Sequence, residues 1–65
     1  MNKQDRNRLE KALNIVLEVK EDIICKIDNL ESNDMEHLPI YETLIEDDYK
    51  LDEIENILIE AIEEF

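Results

Sequence analysis

The sequence predicts an all-α protein, an antiparallel helical hairpin whose second arm is broken near Asp47 and which dimerises into a helical bundle. Three observations predict it. The chain has no glycine and one proline, which argues against sheets joined by tight turns. Its leucines and isoleucines recur at helical spacing on both sides of a short polar segment. At 65 residues, a lone chain buries only about 60% of the surface its unfolded form exposes, so a marginal monomer needs support. A single cysteine, Cys25, and a single histidine, His37, provide neither an internal disulfide nor a metal site, which leaves oligomerisation. The charged fraction of 40% would suit a disordered chain, but the 43% that is hydrophobic, rich in Ile and Leu at ordered spacing, favours a folded one.

Helix 1 is expected over about residues 6 to 31. From Leu9 to Leu30 the apolar residues fall at 9, 12, 13, 16, 19, 23, 27 and 30, the spacing of an amphipathic helix. Leu9, Val16, Ile23 and Ile27 lie at the centre of the stripe, and Val19 with Leu17 or Ile24 widens it to nearly half the circumference. That width exceeds what one neighbouring helix covers and motivates the dimer.

A loop is expected over about residues 32 to 38, where Ser32, Asn33 and Asp34 compete with helical hydrogen bonding and Pro39 suits a first helical turn. Ile40, Tyr41, Leu44 and Ile45 then continue a stripe until Asp47 lands on its projected centre, where a buried carboxylate is costly. Helix 2 is therefore expected to end near Glu46, with Asp47 or Asp48 capping a third helix over about 48 to 64. In that helix Leu51, Ile54, Leu58, Ala61 and Phe65 form a heptad seam. The two arms would span roughly 36 and 39 Å, matching lengths for a hairpin.

Charge is partitioned along the chain. Residues 1 to 30 hold six basic and six acidic side chains, while residues 31 to 65 hold thirteen acids and Lys50. Lys3, Arg6, Arg8 and Lys11 crowd the start of helix 1, and Glu60, Glu63 and Glu64 crowd the end of the last helix, both against the macrodipole preference. An antiparallel hairpin brings these misfit ends together.

Between Pro39 and Glu64 the net charge is −9, or one charge per about 4 Å of helix. Two such helices in a dimer approach the charge density of duplex DNA, one per about 1.7 Å. In this character, though in no motif, the chain resembles small acidic phage inhibitors of DNA-binding proteins, which implies a partner protein with a basic surface. Glu42, Glu46, Asp47, Asp48, Asp52 and Glu53 are the expected partner-binding acids. Leu9, Val16, Val19, Ile23, Ile27, Leu51, Ile54, Leu58 and Phe65 are the expected core and dimer seam. The alternative is a helical assembly, antitoxin or immunity-type module that recognises its partner through an apolar groove and uses its charge for solubility and steering.

Other chemistries find little support. The acidic knot matches no calcium loop and lacks the glycine such a turn requires. Glu18 and Glu21, followed by Glu31 and Asp34, faintly resemble the paired carboxylates of all-helical nucleotide pyrophosphatases, magnesium-dependent dimeric bundles. Here the second pair comes too soon, and Glu18 and Glu21 project away from the stripe. His37 has no nucleophile at a dyad spacing, and Cys25, projecting opposite the stripe, has only Lys26 as a basic neighbour. No enzyme activity and no cofactor are expected. A net charge of −12 opposes direct nucleic-acid binding. No apolar run exceeds three residues, far short of the roughly 20 of a membrane span. The polar N-terminus and lone cysteine point to a cytoplasmic protein.

Overall fold

A computed structural model describes residues 2 to 64 and shows two long helices packed against each other. Helix α1 spans Lys3–Ser32 and α2 spans Pro39–Glu63. The hairpin is a rod of 48 × 15 × 13 Å with a radius of gyration of 14.9 Å, against about 11 Å for a compact globule of this length.

Helix α1 starts three residues earlier than its apolar pattern indicates, because Asn2 caps it. The Asn2 side chain accepts from the Asp5 amide at 2.9 Å, and Asp5 supplies the acid that suits a first turn. At the other end the chain turns through Asp34, whose φ of 55° is left-handed. The Asp34 amide donates to the Glu31 carbonyl and the Met35 amide to the Leu30 carbonyl, the paired bonds of a Schellman termination. Asn33 adds a side-chain bond of 2.7 Å to the Asn29 carbonyl. Leu38 then precedes α2 without a side-chain cap, and Pro39 occupies the first turn.

The interruption expected near Asp47 is absent, and Pro39–Glu63 is one continuous helix. Projected at about 100° per residue, the stripe of Ile40, Tyr41, Leu44 and Ile45 has its centre about 90° from Asp47 and close to Asp48, and its edges, Ile40 and Ile45, are 51% and 37% exposed. The stripe that meets α1 runs through Tyr41, Leu44, Asp48, Leu51, Glu55, Leu58 and Ile62, all buried or half-buried. Asp47 lies to one side of it and keeps contact with solvent, so it gives no reason to break the helix. On α1 the matching stripe is Leu9, Leu13, Val16, Lys20, Ile23, Ile27 and Leu30, also buried or half-buried throughout. Both stripes step by three and four residues, the seam of a two-stranded coil.

Two members of the expected core and dimer seam lie outside the contact between α1 and α2. Ile54 is 43% and Val19 41% exposed, because each projects well to one side of the line joining the helices. Phe65 lies outside the described residues. Leu9, Val16, Ile23, Ile27, Leu51 and Leu58 do face the opposite helix. Among the described residues only Ile27 and Leu44 are buried, and even these keep 8% and 9% exposure. The accessible surface of 5086 Å² exceeds the roughly 4,400 Å² typical of a folded chain of 7.8 kDa. One hairpin therefore leaves much of its apolar surface in water.

Asp34 holds a conformation that costs an L-residue about 1 to 2 kcal/mol, eased for Asp by its short polar side chain. Asp34→Gly should stabilise the hairpin by about 0.5 to 1 kcal/mol, glycine's freedom in the unfolded chain offsetting part of the gain. Thermal melting followed by circular dichroism measures it, and an unchanged or lower Tm would show that the Asp34 turn is unstrained.

Candidate partner-binding surface

Three polar residues occupy positions in the apolar seam: Lys20 on α1, and Asp48 and Glu55 on α2. The Lys20 side chain is only 16% exposed and reaches two carboxylates across the hairpin, Asp52 and, at 3.1 Å, Glu55. These partners hold the Lys20 ammonium above the ordinary lysine range, the hydrogen bond to Asp52 contributing most, then that to Glu55, against a smaller opposing effect of desolvation. Asp48, one turn before Asp52, has a buried Oδ1 with no hydrogen-bond partner. In the second half of the loop-side seam, burial pushes the Tyr41 phenol up, and Glu31 and Glu36 add to the shift.

This arrangement divides the six acids expected to form one partner-binding face. Asp47, Asp48 and Asp52 are half-buried along the sides and seam of the hairpin, whereas Glu42, Glu46 and Glu53 are exposed on its back. Projected at about 100° per residue, Glu42, Glu46, Glu53, Glu60 and Glu64 fall within about 40° of one another. All five are exposed. They make a straight row along the outer face of α2 some 33 Å long, interrupted at their own angle by no cation. Among the described residues, none of the five belongs to an ion pair.

The basic start of α1 does not pair with the acidic end of α2. Arg6 pairs with Glu10 at 3.3 Å and Arg8 with Asp5 at 3.8 Å, because neighbours three or four residues along one helix are closer than anything across the open end. Cross-hairpin pairing is made at mid-length by Lys20, a residue the apolar pattern passes over. Its signal was available: position 20 falls between Val16 and Ile23 in the step of four and three that runs down the stripe.

The remaining candidates are dispersed. Glu18, Glu21 and Glu31 are exposed on α1 while Asp34 sits in the turn, so the four surround no common cavity. Among the described residues no group of three His, Cys, Asp or Glu side chains is placed to hold a metal ion. His37 and Cys25 are both exposed. No helix is long and apolar enough to cross a membrane. No protein-family model matches the chain, and no curated protein or solved structure matches it either.

The seam chemistry has two measurable consequences. Lys20 and Tyr41 both keep their protons more tightly in the folded chain than in the unfolded one. Above about pH 10, where the unfolded groups release theirs, folding therefore binds protons and stability falls as pH rises. Melting curves should show this alkaline loss. Lys20→Met should melt lower than wild type at neutral pH, where Asp52 and Glu55 have lost their cation, and the two should converge at high pH. Equal Tm values at pH 7 would mean the cluster adds nothing.

Asp48→Leu should act oppositely. It removes a buried unpaired oxygen and continues the leucine series Leu44, Leu51 and Leu58, for a gain of about 1 to 2 kcal/mol. Destabilisation on chemical denaturation would instead show that the carboxylate is well solvated in place.

Proposed function

We propose that this protein is a non-enzymatic, acidic interaction module that binds the basic, nucleic-acid-binding surface of a partner protein. It would serve as an inhibitor of the DNA-mimic or phage anti-defence kind, working as a homodimer in the cytoplasm. The observation that carries this reading is the row of Glu42, Glu46, Glu53, Glu60 and Glu64, exposed and free of ion pairs among the described residues. A solubilising surface is served by mixed charge. Here six of the seven cations lie on α1, Lys50 projects to one side of the row, and the row itself keeps one sign along its length.

A straight, rigid line of carboxylates suits recognition by a groove that normally follows a phosphate backbone. Such a groove presents Lys and Arg at intervals along its length, and the carboxylates can compete with phosphate for them without reading any base. The same field accelerates encounter with a basic partner. The exposed cysteine suits the reducing interior of a cell.

The test is a pull-down from lysate at low and at physiological salt, with a DNA duplex added as competitor. Two variants accompany the wild type: E42Q/E46Q/E53Q/E60Q on the back of α2, and D47N/D48N/D52N along its inner sides. A basic partner should be retained at low salt, weakened about tenfold or more at physiological salt, displaced by DNA, and lost with the first variant. A partner indifferent to salt, DNA and that variant would overturn the proposal and direct attention to the apolar flanks, as an antitoxin- or immunity-type module requires.

A further inference from the structure

The hairpin has two flanks, and they differ in chemistry. On one, Ile15, Val19, Ile54 and Ile57 are 60%, 41%, 43% and 63% exposed. The register set by Lys20 with Asp52 and Glu55 brings Val19 level with Ile54 and Ile15 level with Ile57. Helical projection turns all four to the same side. A shallow depression lined by Val19, Ile23, Asp47, Lys50 and Leu51 continues this surface toward the loop, so both helices contribute to one apolar strip near the middle of the rod.

Charge separates this flank from the rest of the molecule. It is bordered by Arg8, Lys26 and Lys50 and by Asp5, Asp22 and Asp47, a balanced set that includes the one cation of the second half of the chain. The opposite flank carries Glu10, Glu21, Asp28, Glu31 and Glu63 against Lys3 and Arg6, besides the Lys20 cluster with its two acids, and so stays net negative, and the back of α2 carries the glutamate row. Two copies each bearing −12 repel through either of those surfaces but not through the balanced one. Under a twofold, the lysines at its border can face the aspartates of the other copy, since an isologous contact sets the same patch against itself.

From these observations we infer that the flank of Ile15, Val19, Ile54 and Ile57 is the self-association face, and that a second copy of this chain covers it. The inference rests on the homodimer contained in the proposed function and is independent of the basic partner. The whole flank, 48 Å by 15 Å, offers on the order of 700 Å² in projection, close to the roughly 800 Å² per partner of a stable interface, so the contact engages the polar border from end to end besides the apolar strip. Packed this way, each hairpin gains the second layer that a lone pair of helices lacks, and both glutamate rows stay outside.

Sedimentation equilibrium on the full chain at micromolar concentration tests the assignment. Wild type and Leu17→Glu, the latter altered on the opposite flank, should have the mass of a dimer, whereas Ile15→Glu and Ile57→Glu should have that of a monomer. Because a hairpin deprived of its partner can lose its fold, a second experiment uses wild type alone. Isotope-labelled and unlabelled chains are mixed and joined with a zero-length carbodiimide cross-linker. Cross-links between chains should join Lys26 or Lys50 to Asp22 or Asp47. A monomeric wild type, a dimer that survives Ile57→Glu, or cross-links between copies concentrated on the opposite flank would each overturn the assignment. None of these readouts involves the basic partner, so the partner reading and the dimer face can fail separately.

Discussion

A lysine at a seam position of two packed helices must meet acid on the facing helix or leave a half-buried ammonium unpaired. Lys20 meets two, Asp52 and Glu55, and that requirement determines how α1 and α2 lie against each other. Apolar side chains alone are permissive here. Leucines and isoleucines recur every three or four residues on both helices, so sliding one helix by a heptad would bring apolar residues together again. Such a slide would move Lys20 about 10 Å from its partners. The pair thus contributes chiefly to selecting one register, the best-attested use of ionic groups within a packed interface.

That register also decides which carboxylates are left over. Asp52 and Glu55 turn toward Lys20, Asp48 turns into the seam, and Asp47 borders the apolar flank. What remains outside is the series Glu42, Glu46, Glu53, Glu60 and Glu64. An acidic chain has thereby been sorted into three environments by helical phase: carboxylates that hold the fold, carboxylates beside a neutral apolar strip, and carboxylates that meet only solvent. Side chains in the first class cannot be shared with a partner without cost to the fold.

Much of this was legible before the structure. The spacing from Leu9 to Leu30 marks α1, the run Ser32, Asn33 and Asp34 marks the turn, and Pro39 marks the start of α2. The phase of α2 was harder to read, because its apolar residues are wide enough around the helix to define two stripes about 60° apart. The stripe through Leu51, Ile54, Leu58 and Ala61 is the one centred on Asp47, and a helix buried along it would need a break there. The stripe through Leu44, Leu51 and Leu58 removes that conflict but needs Asp48 and Glu55 to sit in the seam, which apolar counting does not anticipate. Lys20 is the missing counterpart, and a charged residue recurring at seam phase on one helix signals opposite charge at seam phase on the other. Which acids form the outer row was beyond the composition, since it follows from the phase.

The placement of the two buried side chains, Ile27 and Leu44, bears on how the chain folds. Both lie on the loop side of Lys20, at nearly the same level, and sixteen residues separate them along the chain, ten of them helical. Closing that short loop costs little conformational entropy, and the same contact contributes the driest packing in the molecule. That contact favours assembly that starts at the turn and extends through the ionic cluster. Local opening runs in reverse: amide protons near the ends should exchange with solvent first and those around Ile27 and Leu44 last. The rod is therefore unequal along its length: among the described residues its two buried side chains lie toward the turn and none lies toward the open end.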